Sequence, residues 1–315
     1  MIKTLLATAL LVASTTFASS AMALGFGSQS VLVIEDGTGK VLLEKNANAV
    51  APIASLTKLM TAMVVLDAGQ DMHEMIAIDQ RDVDILKHST SRVPVGAKIS
   101  RGDVLQLALM SSDNRAAASL GRTYPGGVVA FKAAVRAKIA ALGMNQTTIE
   151  EPTGLSPNNK STAADLIKMA TAAAAYPEIS RITTEARDII QINGRGVEYH
   201  NTNRLVGAKG WDIGLSKTGY TEEAGRCLIM RIKTAGTNAT LVLLNARASS
   251  VRIMDALNIR RLVSGGEQDD SAVVARKRVR SPMLVKAAGE ARSGVRTTRV
   301  KYKVRPVKLR RLAGR

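Results

Sequence analysis

The chain has 315 residues, 46% of them apolar, a single cysteine and a net charge of +18. That length can build a large core, in one big domain or two closely joined ones. One cysteine excludes an internal disulfide framework, and an aromatic share of 3% leaves few stacking platforms for nucleic acid.

The N-terminus reads as a processing segment. Met1-Ile2-Lys3 carries one positive side chain, and Leu5 to Ala13 is an apolar run shorter than the roughly 20 residues of a membrane span. Ala21-Met22-Ala23 fits the small-x-small cleavage pattern. Residues 1–23 are therefore expected to be a signal peptide, with the mature chain beginning near Leu24 and working in the periplasm. No later stretch reaches the apolar length of a membrane helix, so the mature protein is expected to be soluble or peripheral.

Next, Val31 to Glu35 and Val41 to Glu44 flank Asp36-Gly37-Thr38-Gly39, the pattern of a β-hairpin. Pro52 precedes Ser55, and Leu56, Leu59, Met60, Met63, Val64 and Leu66 predict a helix buried on most sides and closed by Gly69. Ser55 would stand at its N-terminus with Lys58, three residues on, sharing its face. Residues 72–205 read as mainly helical: Val104 to Met110 leads into Ser111-Ser112-Asp113-Asn114, and Phe131 to Leu142 ends at Gly143. Ser161 to Ala175 forms another helix, capped by Ser161 or Thr162 and stopped by Pro177.

After Trp211 the pattern changes to short strands, Ile213–Thr218, Cys227–Ile232 and Thr240–Leu244, followed by a helix over Val251–Leu262. The fold class expected is α/β in the α+β sense: an antiparallel sheet flanked by helices, carrying an inserted all-α lobe over about 72–205. The active site would lie where the two meet. One domain is expected over 24–268. The remainder, 269–315, is expected to be a disordered basic tail: residues 272–315 hold 15 Lys and Arg against Glu290 alone, a charge of +14, and +18 less +14 leaves only +4 elsewhere. Such a tail could make peripheral contact with an anionic wall or membrane.

Three strings carry the chemistry: Ser55-Leu56-Thr57-Lys58, Ser112-Asp113-Asn114 and Lys217-Thr218-Gly219. Singly, they read as a helix cap, an ordinary turn and a strand end. Together, in this order and spacing, they supply the parts needed to acylate a serine without a histidine. A serine needs a base, and lysine becomes one when burial and a neighbouring cation lower its pKa. Lys58 sits on the apolar helix and Lys217 is the natural second cation. The helix N-terminus puts backbone N–H groups near Ser55, where an oxyanion would form. Ser112 could relay a proton to the leaving amine, Asn114 could hold Lys58 or a substrate amide, and Asp113 would point away and serve structure. Lys217 and Thr218 offer a cation and a hydroxyl to a carboxylate, and Gly219 would let a substrate backbone lie close to the strand.

These motifs resemble those of the penicillin-binding serine D,D-peptidases, whose fold is shared with serine β-lactamases. Within that group the chain is similar to the low-molecular-mass peptidase S11 type, and most of all to the D-alanyl-D-alanine endopeptidases. Ala54 to Thr61, Glu151-Pro152-Thr153-Gly154-Leu155-Ser156-Pro157 and Gly214 to Tyr220 carry the resemblance, which covers about residues 30–264. It implies that Ser55 is acylated by a D-alanine carbonyl of a peptidoglycan peptide, with Lys58 as base. Ser112 and Asn114 would complete the catalytic centre. Lys217, Thr218 and Gly219 would bind the substrate and β-lactam antibiotics, the latter as covalent inhibitors. No cofactor and no metal is implied, and nucleic acid is not an expected partner. The resemblance implies a C-terminal β-domain and an amphipathic anchor helix in carboxypeptidase relatives. Neither is expected in the 51 strongly basic residues after residue 264, which show no clear amphipathic helix. Cleavage of D-alanyl–diaminopimelate cross-links is therefore ranked above trimming of terminal D-alanine. Both rank above β-lactam hydrolysis and above a non-catalytic wall-binding module.

Other candidates read as structural. Glu150 and Glu151 lie where a deacylating carboxylate would be needed, but in a loop read as non-catalytic. His73, His88 and His200 sit among polar neighbours and are expected at the surface, without metal spacing. Cys227, inside an apolar run, is expected to be a buried thiol.

Overall fold

The computed structural model describes residues 25–266; the expected signal peptide and basic tail lie outside the described residues. Five strands form an antiparallel sheet: β1 (Ser30–Glu35), β2 (Val41–Lys45), β9 (Asp212–Thr221), β10 (Gly225–Thr234) and β11 (Thr237–Ala246), in the order β2-β1-β11-β10-β9. Residues 46–211, inserted between β2 and β9, hold β3 (Ala51–Pro52), α1 (Thr57–Asp67), β4 (Met75–Ala77), β5 (Lys98–Ser100), α2 (Arg101–Leu109), α3 (Asn114–Arg122) and α4 (Gly127–Ala141). They continue with β6 (Lys160–Ser161), α5 (Ala163–Ala174), α6 (Pro177–Thr184), β7 (Arg187–Ile192) and β8 (Arg195–His200). The helix α7 (Ser249–Val263) follows β11.

The central strands read as unbroken apolar runs because both faces of the sheet are covered. Side chains alternate across a strand, so Leu228, Met230 and Ile232 join Val31, Val33, Leu241 and Leu243 under Ala256, Ile259 and Val263 of α7. Cys227, Ile229, Leu32, Val242 and Leu244 face the other way, into a core shared with α1 and α5. Each large aliphatic side chain buried this way contributes roughly 1.5–3 kcal/mol. Asp255 of α7 accepts hydrogen bonds from Gly27 N, Ser28 N and Ser28 Oγ at 2.6–3.1 Å, which ties the helix to the start of β1.

The helix α1 runs through the middle of the molecule, with every residue from Thr57 to Val65 buried, Lys58 included. It touches α2, α3, α4, α5 and α6. That matches the helix read from its apolar residues on most sides, and Gly69 follows it at a φ of 61°.

Two features depart from the sequence reading. The insert is not helical throughout: β7 and β8 form a hairpin around Asn193 and Gly194, whose φ angles are 51° and 75°. Asn-Gly between alternating apolar residues is the signature of such a turn, and it interrupts the helical stretch expected there. The strand read as ending at Thr218 runs on to Thr221, so Lys217 stands inside β9 and not at its end. β9 is the edge of the sheet, which leaves one row of its backbone groups unpaired and facing the insert.

Candidate active site

The three strings meet in one cleft of about 450 Å³, lined by Ser55, Ser112, Asn114, Thr218 and Gly219. Ser55 lies in a single 3-10 turn, Ala54–Leu56, that feeds α1. Lys58 is one turn into the helix, 1% exposed. Its Nζ donates to Ser55 Oγ at 2.9 Å, to Asn114 Oδ1 at 2.7 Å and to the Thr153 carbonyl at 2.7 Å. Three donors meet three acceptors, so the amine is fixed in direction as well as place. Burial pulls its pKa down to about 8, against the raising effect of the Glu151, Asp113 and Asp84 carboxylates. At pH 7 about one molecule in ten then carries the neutral amine.

Two glycines hold the nucleophile's peptide from opposite sides. Gly154, at a φ of +88°, comes so near that a Cβ there would stand 2.0 Å from the Ala54 carbonyl oxygen. A Cβ on Gly219 would stand 3.1 Å from Ser55 N and 3.0 Å from the Ile53 carbonyl oxygen. Gly219 thus lets β9 pack against the turn bearing Ser55, a different use of the missing side chain from the substrate approach expected of it. The Ser55 N–H finds no acceptor among the described residues and remains available to an oxyanion.

Ser112 occupies the left-handed region, at a φ of +61°, which costs a non-glycine residue on the order of 1 kcal/mol. Lys217 Nζ donates to its Oγ at 2.8 Å, and Asp113 N donates to the Leu107 carbonyl at 3.0 Å. Asp113 turns away and caps α3, accepting from Ala116 N at 2.9 Å and Ser91 Oγ at 2.7 Å. Asn114 therefore faces Lys58, while its Nδ2 donates to Ser89 Oγ at 2.8 Å. Lys217 is 1% exposed; burial and the nearby Lys58 and Arg252 cations hold its pKa well below the usual lysine range. Thr218 Oγ1 donates to Thr202 Oγ1 at 2.6 Å, just beyond the end of β8.

Sequence reasoning missed Thr153, Gly154, Thr202 and Arg252. The first two stand in the string Glu151 to Pro157, which carries part of the family resemblance but was read as a loop without a part in the chemistry. Arg252, 8% exposed, lines the cleft from the first turn of α7 and donates to the Cys227 carbonyl at 3.1 Å. Nothing in its local sequence marks it. Glu151 is committed to its own loop: its carboxylate accepts from Thr153 N, Thr153 Oγ1, Gly154 N, Ser156 N and Asn159 Nδ2. It has no lone pair left to position a water. His73, His88 and His200 are exposed, and Cys227 is buried, its thiol pushed up to about 11 by burial. A second, more apolar groove of about 300 Å³ lies beyond Asn114, between Leu86 and Leu155, and does not include Ser55.

Chemically, this arrangement offers a hydroxyl with a buried amine base, a second hydroxyl–lysine pair and a cationic wall. The wider comparisons agree with the geometry. The D-alanyl-D-alanine carboxypeptidase family model, peptidase S11, matches residues 15–248. The chain is 46% identical over 242 residues to a D-alanyl-D-alanine endopeptidase of Pseudomonas aeruginosa, covering 76% of this chain and 78% of that one. It is 42% identical over 258 residues to a D-alanyl-D-alanine endopeptidase of Escherichia coli, covering 81% and 83%. Among solved structures, penicillin-binding protein D2 of Listeria monocytogenes in its ampicillin-bound form superposes with a TM-score of 0.66 at 28% identity, over 76% of this chain and 98% of that one. The chain belongs to the peptidase S11 family of D-alanyl-D-alanine peptidases and is a serine hydrolase.

Proposed function

We propose that the protein is a serine D,D-endopeptidase that hydrolyses D-alanyl–diaminopimelate cross-links of peptidoglycan through an acyl-enzyme on Ser55. The observation that carries this reading is the buried Lys58 amine, 2.9 Å from Ser55 Oγ and lowered in pKa to about 8. Neutral Lys58 takes the Ser55 proton as Oγ attacks the D-alanine carbonyl. The oxyanion forms against the Ser55 N–H. The C–N bond then breaks as Ser112 passes its proton to the leaving amine and takes one from Lys217, whose Nζ donates to its Oγ. Water hydrolyses the ester and frees Ser55: the proton held by Lys58 returns to Ser55 Oγ, and the one given up by water restores Lys217. The leaving residue's carboxylate lies at Thr218, with Arg252 and Lys217 supplying positive charge.

The preference for cross-links over terminal D-alanine is supported by the two relatives named as endopeptidases; the same site would serve the carboxypeptidase reaction. β-Lactams, which present a strained amide and a carboxylate, acylate Ser55 and leave slowly, because Glu151 is occupied within its loop. We further infer that residues 1–23 export the chain to the periplasm, that 24–268 form the catalytic domain and that the basic tail contacts an anionic wall or membrane. Retention unchanged at low salt after removal of residues 272–315 would exclude that contact.

The decisive experiment is incubation with labelled penicillin and mapping of the adduct. The label should lie on Ser55 and vanish in Ser55→Ala; labelling that persists in the variant overturns the nucleophile. Cross-linked dimers and pentapeptide monomers digested side by side then rank the two activities.

A further inference from the structure

The cleft carries more positive charge than one carboxylate requires. Arg204, Arg226 and Arg252 all line it, with no acidic residue among its lining groups. Among the described residues none of the three makes an ion pair. Burial and the charge of Arg226 pull the Arg252 guanidinium below its usual pKa, a repulsion that an anion would relieve.

The arginines are also placed in a definite direction. Side chains alternate along β9, so Thr218 and Tyr220 share one face while Lys217 and Gly219 share the other. Arg226 of β10 stands directly opposite Tyr220 in the ladder. Its guanidinium lies 3.5 Å from the centre of the Tyr220 ring. A guanidinium stacked on a ring keeps its N–H edges free, in the fork that suits a carboxylate. Tyr220 is itself half exposed, so the stack sits at the cleft mouth, one same-face position beyond Thr218.

We propose that Arg226, braced by Tyr220, forms with Arg204 a second anion subsite, which takes a further carboxylate of the departing peptide and selects cross-linked peptides over single stems. This rests on the D,D-endopeptidase reading, in which Thr218 and Arg252 take the carboxylate next to the broken bond. A stem ending in D-alanine releases one amino acid with one carboxylate, already met there. A cross-link releases a whole peptide, whose diaminopimelate centre supplies that first carboxylate and whose remaining residues carry others. The surplus arginines match that difference in charge.

The test compares kcat/KM of the full enzyme on three reactions: a cross-linked peptide dimer, the same dimer with the departing strand's outer carboxylates amidated, and acylation by benzylpenicillin. Wild type should favour the unmodified dimer over the amidated one by about tenfold, mostly through KM, a preference that weakens with salt. Arg204→Ala/Arg226→Ala should lower dimer cleavage about tenfold more than it lowers acylation by benzylpenicillin, and should cut both dimers alike. Arg226→Lys, which keeps the charge but loses the planar stack, should fall between. Acylation reports that each variant is folded. A wild type that cuts both dimers equally, or a double variant that keeps the preference, overturns the subsite alone. A wild type that takes up penicillin yet cuts neither dimer overturns the endopeptidase reading, and the subsite with it.

Discussion

The floor of the cleft and its mouth are built on opposite rules. At the floor nearly every polar group is spoken for: Lys58 has three acceptors, Asn114 two partners and Glu151 five donors. At the mouth, Arg204 and Arg226 form no ion pair among the described residues. A saturated floor fixes the reacting atoms and excludes alternatives, which serves chemistry common to every substrate. An unsatisfied mouth waits for groups that only some substrates bring. Floor changes should therefore act on all reactions together, and mouth changes on the choice between them.

The largest test of the floor is Lys58→Ala. It should lower acylation by penicillin and peptide cleavage by a similar factor, of order 10²–10⁴. A variant that loses one activity and keeps the other would show that the floor is not shared.

Gly154→Ala should act through stability. The added Cβ meets the Ala54 carbonyl and the residue must hold a φ of +88°, so a loss of about 2–4 kcal/mol in unfolding free energy is expected. Denaturant midpoints measure it. An unchanged midpoint would mean that the Ser55 turn can give way, contrary to the packing described.

The smallest effect is graded by pH. With Lys58 lowered to about 8, the reactive neutral amine is scarce below that value and dominant above it. Acylation by penicillin should rise about tenfold per unit of pH up to about 7 and level off above 8. The sign follows from a lysine that works deprotonated; a rate that falls over this range would assign the base elsewhere.

Much of this was legible in the sequence. The buried helix behind Ser55 announced itself by apolar residues at nearly every position, and the three motif strings by their order. Asp113 was expected only to point away and serve structure; that it caps α3 shows only in the fold. Partners contributed by single atoms or by distant segments were not legible. The Thr153 carbonyl reaches Lys58 from 95 residues away, and a backbone oxygen has no letter. Arg252 comes to the cleft only because α7 crosses the sheet next to β10. The β7–β8 hairpin was a different kind of miss: Asn193-Gly194 between alternating apolar residues marks a hairpin turn inside the stretch expected to be mainly helical.

The pairing of β1 with β11, which sets Ser30 against Leu244, has a consequence for how the chain matures. Among the described residues, the first strand has no neighbour on that side until the last strand, β11, exists, and α7 must follow to clasp Gly27 and Ser28 through Asp255. Contacts of such high sequence separation fold slowly and leave a bare strand edge in the meantime. The sheet, and with it the edge strand that confronts Ser55, closes only once β11 and α7 are in place. A chain lacking β11 and α7 would then be inert, and hydrolytic activity would switch on all at once when the sheet closes.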